Sequence, residues 1–276
     1  MNAIAAKAPV AKAQAMSGKS QRTLQGLSRM VPAALLLAAV LIAWEVLVRV
    51  LAVPVFVLPP PSSIAEVLVN RQGDLLKAAL ITGEEVLYGF VLSSIVGIVL
   101  ALLIARYDRF GEALYPLMVL FQNVPKIALA PLFILWFGYD LLPKIALIIV
   151  IAFFPIALNM LVGLRSADPN LVALLRSVGA SRNEIMVRVQ IPNALPYLMA
   201  GMKVAITLSV IGAIVGEFAG ASAGLGYMIQ FASTQMETSL VFSALFEVSV
   251  LGVLFYYAVE LLERRYITWA PNTQGG

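Results

Sequence analysis

Apolar residues in this chain run on for about twenty positions at a time, with polar residues collected in the gaps between the runs. A helix of about that length crosses a hydrocarbon core of about 30 Å. The pattern therefore predicts six spans, at 31–53, 79–105, 113–137, 142–164, 195–220 and 240–262. A transmembrane barrel would need alternating segments of roughly ten residues, and these runs do not alternate. The third run is irregular, because Pro116, Pro125 and Pro131 interrupt it and Lys126 sits inside it. Broken backbone at membrane depth is tolerated only where protein or a water-filled cavity surrounds it. In the gaps, three consecutive prolines at 59–61 enforce an extended stretch. Ser62 or Ser63 is then placed to cap a short amphipathic helix with Glu66 in its first turns. Residues 106–112 read as a short turn, and 219–228 as a small-residue turn into a segment carrying Tyr227, Gln230 and Phe231.

Composition sharpens this picture. Of the 276 residues, 61% are hydrophobic and 12% charged, against roughly a quarter charged in a soluble domain. The chain has no cysteine and no histidine. That removes disulfides, thiolate and imidazole metal ligands and the commonest general base together. No basic stripe with interleaved aromatics supports nucleic-acid binding. The expectation is an all-α polytopic membrane protein with no catalytic residues and no metal site. A basic tail at 1–29 carries Lys7, Lys12, Lys19, Arg22 and Arg29 and reads as disordered. A transmembrane domain at 30–265 and a short tail at 266–276 follow. With the amino terminus inside, inner segments collect the tail cations, Arg106, Arg109, Arg165, Arg176, Arg182, Arg188, Arg264 and Arg265. Outer segments hold mainly Arg49, Arg71, Lys77 and Lys144. That asymmetry obeys the positive-inside rule and places both termini in the cytoplasm.

The loop at 168–192 is polar in an otherwise greasy chain. Asp168-Pro169 is a helix start, with Asp as N-cap and Pro at the first helical position. Leu171, Leu174, Leu175 and Val178 then share a face, and Gly179 closes the helix where a left-handed residue is wanted. Ser181-Arg182-Asn183-Glu184 has the form of a capping box for a second helix, which Ile191-Pro192 is expected to end. A short helix–turn–helix bearing Arg176, Arg182 and Arg188 is built to dock on something at the membrane surface, either a protein or anionic lipid.

This loop resembles the cytoplasmic signature of ABC importer permeases: a glycine, nine residues, then aliphatic-x-aliphatic-Pro, here Gly179, Val189, Ile191 and Pro192. LPPPSSI upstream, NVPKIALAPLFILWFG in the third run, and LPYLMAGMKVAITLSVIGAIVGEFAGASAGLGYMI downstream are similar to the nitrate/sulfonate/taurine-type branch. The resemblance covers roughly residues 55–265. It implies a type I importer (methionine-importer-like) permease with six transmembrane helices in a bacterial inner membrane. Two copies of the chain, two ATPase subunits and a periplasmic or lipid-anchored substrate-binding protein are expected as its assembly. No cofactor is expected on this chain; ATP and Mg would sit on the ATPase. Leu171, Leu174, Leu175, Arg176, Gly179, Ala180, Ser181, Arg182 and Pro192 would form the coupling element. The family signature usually opens with Glu-Ala-Ala, where this chain has Ala173, Leu174 and Leu175, so one expected polar contact to the ATPase is missing. The branch carries small organic or inorganic anions such as sulfonates, nitrate or aromatic acids, and heterocyclic vitamin precursors.

Ionisable residues inside spans mark pathways. Lys126 and Glu217 lead this group, with Glu45, Glu247 and Asp140 behind, and a Lys126–Glu217 pair is one candidate gate or structural pair. Gln122, Asn123 and Thr207 add hydrogen-bonding capacity near the pathway. Gly212, Gly216 and Gly220 form a ridge for close helix approach, toward a second copy, the pore or a helix of the same chain. Gly18-Lys19-Ser20 tempts as a phosphate loop, but Ala13 stands where the first glycine is required. An ion-coupled carrier or channel is the competing reading. It leaves the structured basic loop unexplained, and no internal repeat supports it.

Overall fold

The structure is a computed structural model that describes residues 31–269. The basic tail, the Gly18-Lys19-Ser20 triplet and residues 270–276 lie outside the described residues. By packing, the chain divides after Glu66. The first unit holds α1 (Val31–Val50) and the first turns of α2 (Pro61–Asn70). Ser62 does not act as the N-cap of α2. It lies inside the helix, where its N–H and hydroxyl donate to Glu45 of α1 at 3.0 and 2.8 Å. Glu45 also accepts from Arg49 at 2.6 Å, so this intramembrane carboxylate ties the extended proline stretch back to α1.

The second unit contains α3 (Gln72–Arg106), α4 (Asp108–Gln122), a 3₁₀ turn (Lys126–Leu129) and α5 (Ala130–Phe137). It continues with α6 (Leu141–Arg165), α7 (Pro169–Ser177), α8 (Arg182–Ile185), α9 (Ile191–Gly220), α10 (Leu225–Thr234) and α11 (Thr238–Tyr266). Five helices are long and apolar enough to cross a membrane, and six spans result if the bent pair α4–α5 counts as one. That pair turns by 87° at the break, where Pro125 stands; Pro131 falls in the first turn of α5, and Pro116 lies inside α4 without interrupting it, contrary to expectation. The turn expected at 106–112 shrinks to the extended residue Tyr107. The reversal fits because Gly111 sits where an added Cβ would lie 2.6 Å from the Ile104 carbonyl.

At the centre of this unit, α6 packs against α9 and α3 more extensively than any other pair. Small residues make this possible. A Cβ on Gly97 of α3 would stand 2.8 Å from the Phe153 carbonyl, and one on Gly201 of α9 would stand 2.7 Å from the Pro155 carbonyl. The glycine ridge of α9 is absorbed the same way within the chain. Gly212 faces Ile148, Gly216 faces Lys144, and Gly220 faces Tyr139. Without a hydrophobic drive between helices in lipid, such close backbone approach is a main source of association. Gly97→Val and Gly201→Val are each expected to destabilise the folded protein by about 1–3 kcal/mol, since a backbone carbonyl cannot swing aside like a side chain. Gly252→Val, with nothing within 4 Å of its Cβ, is the control. Heating in detergent followed by size-exclusion chromatography measures the difference.

Candidate functional site

At the end of the bundle where α3 finishes and α9 starts, the 168–185 segment forms a folded projection. Asp168 caps α7 through its side chain, accepting from the Asn170 N–H at 2.8 Å. Gly179 closes it at φ +83°. The capping box is present, with the Ser181 N–H donating to Glu184 at 2.8 Å and the Glu184 N–H to the Ser181 hydroxyl at 3.3 Å. Two bonds moor the projection to α3: Arg106 Nε to Asn183 Oδ1 at 2.9 Å, and Arg182 to the Ala105 carbonyl at 3.2 Å. Leu171, Leu174 and Val178 are 43%, 60% and 73% exposed. Leu175, Ala180 and Pro192 are half-buried, and Arg176, Ser181 and Arg182 are exposed. A rigid element that presents leucines and a valine to the outside is shaped for docking rather than for its own core.

Pro192 does not end a helix. Met186–Gln190 forms a π-helical turn that runs straight into α9. Proline lacks the N–H for an i−4 bond, and its ring crowds the i−4 carbonyl. A wider local turn absorbs both problems and lets the helix continue. The second helix of the loop is therefore the first turns of a membrane helix, so motion of α8 is motion of α9.

The Lys126 region lies at the α4–α5 break. Lys126 is half-buried, and its ammonium stands 5.9 Å from the centre of the Phe154 ring on α6. Gln122 and Asn123 are exposed beside it, and Asn123 donates to the Val119 carbonyl at 3.0 Å. Thr207 is exposed on α9, with its hydroxyl bonded to the Lys203 carbonyl at 3.2 Å. The Lys126–Glu217 pair does not form, because Glu217 is fully buried elsewhere. It accepts from the Thr82 hydroxyl at 2.6 Å, from the Gly226 N–H, and from the Tyr227 N–H at 3.2 Å. Among the described residues Lys126 has no carboxylate at ion-pair distance, and the Phe154 ring is its contact of opposite polarity.

The structure adds Thr82, Glu85 and Lys144 to the polar groups inside the bundle. Lys144 of α6 pairs with Glu85 of α3, and Glu85 interacts with Glu217 of α9. The sequence held a signal for this cluster, since Glu85 is a carboxylate inside the second apolar run. Nothing in the sequence pairs it with a lysine 59 residues away. A further, half-buried pair, Lys203–Glu263, joins α9 to α11. Asp140 is exposed and Glu247 half-buried.

Residues 93–268 match the family described as binding-protein-dependent transport system inner membrane component. The formylaminopyrimidine transport permease of Halalkalibacterium halodurans is 37% identical over 234 residues, which is 83% of this chain and 92% of that protein. The taurine transport system permease of Escherichia coli is 30% identical over 261 residues, covering 90% of this chain and 93% of that protein. A chain of the MetNI methionine ABC transporter, solved in inward-facing conformations, superposes with a TM-score of 0.63 at 18% identity, over 71% of this chain and 97% of its own. That likeness concerns the fold alone. The relatives extend over nearly their whole lengths and the family match covers more than half of this sequence, so the chain belongs to the inner-membrane permease components of binding-protein-dependent ABC transport systems.

Proposed function

We propose that this chain works as a pair with a second copy of itself, driven by two separate cytoplasmic ATPase subunits and fed by an external substrate-binding protein. The observation that carries this reading is the moored projection, with Leu171, Leu174 and Val178 exposed around the left-handed Gly179. In this reading it is the coupling helix seated in a groove of the ATPase, and ATP and Mg belong to that partner. The projection and both termini then face the cytoplasm, and α10 faces outward. Ala173, standing where the family has glutamate, leaves the docking to apolar contact and to Arg176 and Arg182. ATP-driven closure moves the projections together and shifts the balance between two packings of the helices. Purification from the native membrane in mild detergent, with mass identification of what co-purifies, tests the assembly. Equal amounts of permease and a Walker-motif ATPase support it, and a crosslinked homo-oligomer without ATPase overturns it.

The cargo in this reading is a small organic or inorganic anion or a heterocyclic vitamin precursor. Lys126 supports it as a half-buried ammonium at a helix break, flanked by Gln122 and Asn123, with Thr207 a further candidate on the path. Lys126→Met is expected to lower uptake of an anionic cargo about tenfold, on the scale of one lost charge-assisted contact. ATPase stimulation by the binding protein is expected to persist. Uptake kinetics in proteoliposomes decide, and wild-type uptake would assign Lys126 a packing role over Phe154.

A further inference from the structure

Every residue that α10 buries is apolar or glycine: Leu225, Gly226, Ile229 and Ala232, against Leu75, Ala78 and Ala79 of α3 and Leu240 and Ala244 of α11. Its first turn is held differently. The Leu225 N–H donates to the Thr82 hydroxyl at 2.9 Å, and that hydroxyl donates to Glu217 at 2.6 Å. The Gly226 and Tyr227 N–H groups converge on the other oxygen of Glu217. One side chain on α3 and one on α9 thus satisfy the free amides at the start of α10. The link between α9 and α10 turns on Gly224 at φ +112°, a conformation open to glycine, and an added Cβ there would strike the Glu217 carboxylate. The strap therefore has a glycine hinge at its root and a polar clasp beside it.

The helix that carries Thr82 reaches the opposite end of the bundle. α3 runs 35 residues without a proline, about 52 Å at 1.5 Å per residue. At its far end Arg106 and the Ala105 carbonyl hold the α8 segment. By contrast α4, α6 and α9 each contain an internal proline. Both partners of the clasp are thus connected to the projection, α3 through these two bonds and α9 through the unbroken run from α8.

Resting on the permease reading above, we propose that Thr82 and Glu217 are positioning residues that latch α10 across the ends of α3 and α9, and that movement of α3 away from Leu225 frees α10 to admit the delivered solute. The cluster is placed for this task, since a hydrogen bond to a buried carboxylate is strong while made and is lost within a small displacement.

The chain has no cysteine, so cysteines placed at exposed Lys77 of α3 and exposed Gln230 of α10 carry the sole spin labels on the permease once its ATPase is made cysteine-free. Distances are read in nanodiscs on the permease–ATPase complex, without nucleotide and in a vanadate-trapped state. In the wild type the trapped state is expected to add a second distance. Thr82→Val, which keeps the shape and removes the hydroxyl, is expected to raise the population of that second distance without nucleotide at least tenfold. Basal ATP hydrolysis should rise with it, and Thr82→Ser should restore both. Glu217→Gln, whose side-chain oxygen still accepts from the Gly226 and Tyr227 N–H groups but without the charge, is expected to act in the same direction and more weakly than Thr82→Val. Variants that lose thermal stability but keep the wild-type distances and basal hydrolysis would overturn the latch and leave a packing role. A wild-type chain that binds no ATPase would instead overturn the permease assembly itself.

Discussion

Gly179→Val is expected to abolish ATP-driven uptake while leaving the protein folded in the membrane. Gly179 sits at φ +83° with nothing within 4 Å of an added Cβ, so the penalty arises from the backbone rather than from a clash. A left-handed conformation costs a non-glycine residue roughly 1–2 kcal/mol, and for a β-branched residue it is a genuine outlier. The Ala180 N–H reaches back to the Leu175 carbonyl at 2.9 Å and the Gly179 N–H to the Arg176 carbonyl at 3.0 Å. Losing that turn re-aims α7 relative to Ser181 and α8. The bundle, whose core lies in α3, α6 and α9, is untouched, so membrane yield and thermal stability should hold. Gly179→Asn is expected to retain most activity, because asparagine tolerates the left-handed region. Uptake and ATP hydrolysis measured together on the same proteoliposomes check this. Full uptake by Gly179→Val would remove the coupling role from this segment.

The second large effect is expected at Lys144. Its side chain is 12% exposed and that of its partner Glu85 3%, with fully buried Glu217 alongside. Lys144→Met leaves two carboxylates in the bundle with no cation. Breaking a buried pair from one side typically costs about 3–5 kcal/mol, because the remaining charge has lost its compensation. A fall in the unfolding midpoint on the order of ten degrees is expected. The double change Lys144→Met with Glu85→Gln should recover a large part of it, since a neutral amide removes the unpaired charge. Thermal unfolding in detergent across the two single variants, the double variant and the wild type closes the cycle. Independent, additive losses would show that the pair does not interact energetically.

How much of this was legible in the sequence depends on the range of the interaction. The caps of α7 and α8, the left-handed glycine between them and the break in the third run are local, because each is decided by residues within four or five positions of one another. The helix continues past Pro192, against proline's local rule, because a wider turn at Met186–Gln190 absorbs the missing N–H and packing against α6 holds the rest of α9. The glycine ridge of α9 could be recognised as a close-approach surface, but its partner could not. Ile148 and Lys144 of α6, and Tyr139 in the link before it, face the ridge because α6 packs against α9 along its length.

Local patterns along the chain are enough to show a helical membrane protein with a structured basic loop, and the match of that loop and its flanking segments to one family gives the class of transport. Continuous apolar length, fixed capping residues and the distribution of arginine act without reference to any distant contact. Which polar groups inside the bundle meet emerges only from the packed helices. Their packing separates Glu217 from Lys126, joins it to Thr82 and the first amides of α10, and sets Lys144 against Glu85. A buried charge takes whichever partner the packed helices bring within a few ångströms, and helix packing depends on residues far apart in the chain.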